Sequence, residues 1–318
     1  MAGLPLAKRI SVINFKGGVG KTTLSFHLAT GLSRYYEKRV LLVDVDHQSS
    51  LSLVCLDEKT WENAKKQGKT VNSIFTHFTI PGTPLPDKSI ILKSPKTNYP
   101  KLDLLSSELQ LDETELDLGS STMGDAVLSE WNKRMLIAKW LEENKIDEDY
   151  DYIFFDCPPA TKIVTQNAIA VSHGYIIPAI PDAVSARGIP HLIERMLTKI
   201  DAKMNGLATY LKSKERQIES TYVPSTKHLG IVIFRIKTHG PAASGYVNEH
   251  YINLGILQRK YSNLIIRPFI EEGIGVVEAM GEGDPVYDSS YNYNVDHRGF
   301  INVFKRITDE CKQRIDAI

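Results

Sequence analysis

Residues 16–23 read Lys-Gly-Gly-Val-Gly-Lys-Thr-Thr, so three glycines lie between two lysines and two hydroxyls follow. Glycine adopts backbone conformations closed to other residues, and the successive N–H groups of Gly17, Gly18, Val19 and Gly20 can therefore turn inward onto phosphate oxygens. Lys21 is then within reach of the β- and γ-phosphates of a nucleotide, and the hydroxyl of Thr22, followed by Thr23, offers a ligand to Mg²⁺. Two carboxylate groups extend this chemistry. Asp44 and Asp46 end the run Val40-Leu41-Leu42-Val43, and Asp156 ends Tyr152-Ile153-Phe154-Phe155. A carboxylate in the second position would hold a water of the Mg²⁺ and complement Thr22. The residues point to phosphate binding with a divalent cation.

Such groups need elements to aim them. Ile10 to Asn14 reads as a buried strand, and the apolar positions Leu24, Phe26, Leu28, Ala29 and Leu32 make the glycine turn the entrance to a helix. Val40 to Val43 and the segment ending at Asp156 read as second and third parallel strands, whose C-terminal ends face ligands in open α/β sheets. Helices are expected over Val127–Leu141, Thr161–Val171 and Pro190–Met204, the last with proline in its first turn. Further strands are expected at Tyr175–Pro178, Leu229–Phe234 and Leu264–Ile266. The fold class is a single α/β domain over residues 1–318, with a mostly parallel sheet and helices on both faces. Residues 57–100, rich in proline, are expected to be a loop-rich insertion, either a partner-contact surface or a tolerated surface segment. Residues 300–318 form a terminal helix with Phe300, Phe304, Ile307, Cys311, Ile315 and Ile318 on one face. Its polar face mixes both signs of charge, so packing on the sheet is expected rather than a membrane-surface role.

The run Lys16-Gly17-Gly18-Val19-Gly20-Lys21-Thr22 resembles the signature of the deviant-Walker P-loop ATPases typified by ParA, Soj and MinD. The likeness covers most of the chain and is greatest to ParA-type partition ATPases without an N-terminal DNA-binding domain. It implies ATP and Mg²⁺ as cofactors and an ATP-sandwich homodimer, in which Lys16 crosses to the partner's nucleotide like an arginine finger. It implies that Asp46 orients the attacking water, that Asp44 lies near Mg²⁺ and the Thr22 hydroxyl, and that Pro268 lies against adenine. His47 stands where the family usually has proline. The resemblance also implies nonspecific DNA binding and a ParB-like or other cargo adaptor that stimulates hydrolysis. Alternatives on the same scaffold are a MinD-like positioning ATPase at a membrane and a dethiobiotin-synthetase-like metabolic enzyme.

The 38 basic and 38 acidic residues cancel, and 42% hydrophobic with 24% charged residues are ordinary globular values. This excludes a uniformly polycationic protein and wholesale disorder. The cancellation is regional. Residues 101–156 carry 5 basic and 15 acidic side chains, whereas residues 183–267 carry 13 and 5. The second region supplies candidate DNA contacts: Lys199, Lys203, Arg235, Lys237, Arg259, Lys260 and Arg267. After the last strand, where the family tends to an arginine-rich stretch, the chain reads Pro268-Phe269-Ile270-Glu271-Glu272. Three isolated cysteines, 55, 157 and 311, build neither a disulfide framework nor a metal site and point to a reduced, cytoplasmic chain. DNA binding would add a nucleoid location.

Overall fold

A computed structural model describes residues 6–238, 247–288 and 299–318. Its strands are β1 (Lys8–Val12), β2 (Val40–Asp44), β3 (Leu102–Leu105), β4 (Tyr152–Asp156), β5 (Gly174–Ala179), β6 (Lys227–Ile233) and β7 (Ile265–Ile266). They form one seven-stranded sheet in the order β3-β2-β4-β1-β5-β6-β7. Every pairing is parallel. The helices are α1 (Lys21–Tyr36), α2 (Ser50–Cys55), α3 (Glu58–Lys66), α4 (Asn72–Thr79), α5 (Leu111–Ser120), α6 (Ala126–Asn132), α7 (Leu136–Glu143), α8 (Ile146–Asp149), α9 (Ile163–Val171), α10 (Ala183–His191), α11 (Thr198–Ser213), α12 (Asn248–Tyr261), α13 (Ile274–Gly281) and α14 (Phe300–Asp316).

The strands are apolar without alternation because both faces are covered, the expected signature of a parallel sheet. Leu41, Val43, Ile153 and Phe155 face one core with Trp131 and Trp140, while Val40, Leu42, Tyr152 and Phe154 face the other with α1 and α14. The chain leaves β1 for β2 on one side and later places β5 on its other side. The C-terminal end of β1 is thus a topological switch point, where an α/β sheet opens a crevice.

Four sequence expectations are corrected. Residues 57–100 are not loop throughout. Asp57 caps α3 by accepting from Thr60 N at 2.9 Å, and α4 buries Ile74, Phe75 and Phe78. The prolines all lie after residue 80, so only that half is loop-rich. The strand ending at Asp156 is the fourth, because β3 precedes it. Asp103 interrupts the apolar pattern of β3, and its carboxylate is satisfied by Lys93 Nζ and Tyr150 OH at 2.8 and 2.7 Å. The single helix expected over 127–141 is two, broken where buried Lys133 and Arg134 both pair with Glu130. The helix expected from Pro190 starts at Ala183, where Asp182 caps it from Ser185 N. Pro190 lies inside α10, and a π turn over Leu192–Leu197 follows before α11, a way for the backbone to accommodate its missing N–H.

α14 packs on the sheet as expected. It buries Phe300, Phe304, Ile307, Cys311 and Ile315, and its polar face carries three pairs at i,i+4 spacing. The His27 ring stacks on Phe304 at 4.0 Å, and its Nε2 accepts from Val286 N at 3.1 Å. Burial pushes His27 down to about 4, so the imidazole is neutral at pH 7. No helix among the described residues is long and apolar enough to cross a membrane. A side chain at Gly31 would press on Thr308 Oγ1 at 2.7 Å and Tyr287 OH at 3.0 Å. Gly31→Val is therefore expected to destabilise the fold by about 1–3 kcal/mol through overpacking between α1 and α14, measured by urea unfolding. Unchanged stability would place the two helices further apart than described.

Candidate nucleotide-binding site

The glycine turn leaves β1 and enters α1 at the switch point. Gly18 and Gly20 have φ of 70° and 95°, in the left-handed region. A Cβ on Gly17 or Gly18 would meet nothing within 4 Å, so the backbone there faces open space. A Cβ on Gly20 would lie 2.8 Å from the Phe234 ring, which ties the turn to the end of β6. No side chain caps α1, and its first turn carries no acid. Its first N–H groups and dipole are thus left for an anion. Lys21 Nζ lies 3.3 Å from Lys16 O. Burial lowers its pKa, against the pull of Asp156 and Asp46.

Asp44 and Asp156 are register partners on adjacent strands, and both are buried. Thr22 Oγ1 donates to Asp156 Oδ2 at 2.8 Å, and Ser25 Oγ to Oδ1 at 2.9 Å. Burial pushes Asp156 up to about 6 although these hydroxyls oppose it. Asp44 is pushed up to about 8, by burial first and by Asp156 second. Its carboxylate accepts from Ser52 N and Oγ at 2.9 and 2.7 Å and from Asp46 N at 3.1 Å. Two desolvated carboxylates beside a hydroxyl make an oxygen-only site short of positive charge. That donor set fits a hard divalent cation. Thr22 and Asp156 present the groups for one, while Asp44 is turned onto α2.

A cavity of about 960 Å³ opens over the turn. Gly17, Gly18, Gly20, Lys21, Thr22, Thr23 and Asp46 line its phosphate end, and Val54, Phe234, Ile270, Ile274, Val276, Val277 and Met280 form an apolar wall. Val19 is buried beneath it. Lys16 is not on its lining: its ammonium pairs with Asp182, and its backbone N donates to Asn14 Oδ1 at 3.0 Å. Burial alone would raise Asp182, but Lys16 and Ser185 outweigh it and hold the carboxyl below its ordinary range. Pro268, expected against the base, is likewise off the lining, and Phe234 after β6, Ile270 and α13 supply most of the apolar wall. The apolar positions Ile274, Val276, Val277 and Met280 mark a helix that needs covering, without assigning it to a cavity.

The candidate DNA contacts do not share one fate. Arg235 lines the same cavity as the glycine turn and pairs with Glu272 at 2.8 Å. Lys237 pairs with Glu272, Lys203 with Glu130 and Lys260 with Glu194. Lys199 lies with Lys203 on α11. Arg259 and Arg267 line one open cavity with Tyr251, Gln258 and Phe269, and the Arg267 guanidinium lies 4.8 Å from the Phe269 ring centroid.

Comparison with known proteins adds to this geometry. A family described as an AAA domain matches residues 7–208. The sporulation initiation inhibitor protein Soj of Bacillus subtilis is 29% identical over 188 residues, 59% of this chain and 64% of Soj. The chain thus spans somewhat less than two thirds of that relative. The chromosome partitioning protein ParA of Caulobacter vibrioides is 26% identical over 64% of this chain and 67% of its own length. Among solved structures, an ATP complex of a Cyanothece McdA variant matches 98% of each chain with a TM-score of 0.66 at 16% identity, a likeness of fold.

The carboxylate pair gives a pH prediction. A folded pKa raised from 3.8 to about 8 means that Asp44 weakens the fold progressively as pH rises between those values. Below this window the carboxyl is neutral in both states and the penalty is absent. Asp44→Asn is therefore expected to gain stability relative to the unsubstituted protein from pH 5 to pH 8 in metal-free buffer, by roughly 1 kcal/mol or more per pH unit. Thermal unfolding across that range checks it, and a flat difference would refute the raised pKa.

Proposed function

The chain belongs to the AAA-domain family of ParA- and MinD-type P-loop ATPases, and from that membership we propose that it hydrolyses ATP with Mg²⁺ as a ParA-like partition or cargo-positioning ATPase. The observation that carries this reading is the cavity itself. Glycine N–H groups, Lys21, Thr22 and Asp46 converge at one end, and an apolar wall suited to a base stands at the other. The triphosphate sits on Gly17–Thr23, with Lys21 at the β- and γ-phosphates. When bound, Mg²⁺ neutralises phosphate charge as it develops, held by Thr22 with Asp156 behind it. Asp44 keeps α2 and its own strand end in register through Ser52. Asp46, the carboxylate on the cavity lining at the phosphate end, orients the attacking water and accepts its proton.

Lys16 acts in the second copy of a sandwich homodimer. Within one protomer it rests on Asp182 beside its own turn. Assembly would exchange that partner for the phosphates across the interface. DNA binding rests on α12 and the strand that follows, where Arg259, Arg267, Tyr251 and Phe269 combine cations with aromatic faces. Lys203, Lys237 and Lys260 are already compensated by carboxylates, so their contribution to phosphate contacts is smaller. A cargo-bound adaptor of the ParB kind is the stimulating partner.

Three outcomes are expected. Asp46→Ala keeps nucleotide affinity, read with a fluorescent ATP analogue, and loses about 100-fold or more in turnover. Loss of binding instead would reassign Asp46. Lys16→Gln lowers dimer-dependent turnover by roughly 10³-fold, and normal turnover with normal sedimentation would remove the sandwich dimer. Duplex DNA stimulates turnover at low salt, and Arg259→Gln with Arg267→Gln reduces both this stimulation and its salt dependence. Absence of any DNA effect at low salt would exclude the DNA-dependent reading.

A further inference from the structure

His47 is the residue beside the phosphate end that the reading above leaves unused. It follows Asp46 in the turn closed by Ser49 N donating to Asp46 O at 2.8 Å. Its Nδ1 lies 3.8 Å from Asp46 Oδ1 and 4.0 Å from Asp112 Oδ1, so the imidazole stands between a cavity carboxylate and the first turn of α5. Asp112 Oδ1 is in turn 3.5 Å from Lys162 Nζ, and that ammonium is 3.7 Å from Glu115 Oε2. Glu115 Oε1 accepts from Val164 N at 2.9 Å, in the first turn of α9. The groups facing one another are therefore Asp46 and His47 after β2, Asp112 and Glu115 on α5, and Lys162 at the start of α9. The segment containing Lys162 follows Pro159, which lines the same cavity.

We propose that His47 is a positioning residue that orients the Asp46 carboxylate and couples it, through Asp112 and Lys162, to the start of α9. The inference rests on the ATPase reading of Asp46. Proline in this place would have no ring nitrogen to offer either carboxylate. Polar contacts of 3.5–4.0 Å at partly exposed groups are individually weak, but groups that share partners act as a unit and couple non-additively. The consequence is that the segments after β2 and β4, adjacent strands on the same side of β1, are held in one mutual arrangement beside the phosphate end. A group entering the cavity would meet them together.

The experiment measures kcat and KM for MgATP in the unsubstituted protein, His47→Ala, Asp112→Asn, the double variant and His47→Asn, with amide exchange by mass spectrometry over residues 160–166. Both single substitutions lower kcat roughly tenfold with KM unchanged, and the double variant is no slower than the slower single one. His47→Asn, whose amide nitrogen replaces Nδ1, recovers most of the rate. Exchange at residues 160–166 rises in His47→Ala. Multiplicative losses, a change in KM alone, or unaltered exchange would overturn the coupling. Absence of turnover in the unsubstituted protein would instead defeat the ATPase reading. The exchange measurement then still decides whether His47 is linked to α9.

Discussion

Two buried carboxylates at neighbouring strand ends are the constraint around which the site is arranged. Asp44 and Asp156 lie opposite each other in register, both removed from water, and the charge of Asp156 makes Asp44 harder still to ionise. Hydroxyls from α1 and α2 hold them in place: Thr22 and Ser25 on Asp156, Ser52 on Asp44. Ser52 Oγ also accepts from Ser107 N, which extends the network to the residue following the β3 region. These neutral donors orient the carboxylates without supplying positive charge, and the buried Lys21 is itself disfavoured as a cation. Such an arrangement is costly in isolation and is relieved by a divalent ion.

Much of this is legible in the sequence because strand ends and glycine turns are local features. Residues 16–23 declare their backbone requirement through glycine, and apolar runs closed by aspartate declare buried parallel strands. What is not legible depends on long-range closure. The apolar wall comes from Phe234 and α13, far along the chain from the turn, and no local pattern assigns a hydrophobic helix to a cavity rather than to a core. Pro268 is off this lining for the same reason. It does follow the last strand, but which side chains face the cavity is decided by the packing of α13 beyond it. Composition groups Arg235 with surface cations, although its strand ends at the crevice.

The secondary-structure misses share one cause, the averaging of signals over a window. Five prolines between residues 81 and 100 mask two helices before them, each marked by its own features: the Asp57 cap of α3 and the Ile74–Phe78 face of α4. The break between α6 and α7 is made by Lys133 and Arg134, good helix formers that bury themselves to meet Glu130, Gln166 and the carbonyls of Leu118 and Ser121. Propensity cannot anticipate a helix end at which Lys133 and Arg134 turn to distant acceptors, the carbonyls of Leu118 and Ser121 and the Gln166 amide.

The regional charges acquire a physical meaning once placed on the fold. The acidic stretch 101–156 contains α5, which lies within ion-pair reach of His47, and it ends on Asp156 itself. Of its acids, Asp112, Glu115 and Asp156 stand near the phosphate end, whereas Asp147 and Asp151 pair at the opposite ends of the strands. The basic stretch 183–267 is largely spent on partners such as Glu194, Glu130 and Glu272, and keeps Arg259 and Arg267 together beside aromatic rings. Net charge of zero thus conceals two separate devices. One places a few carboxylates beside the crevice, and the other leaves Arg259 and Arg267 beside Tyr251 and Phe269.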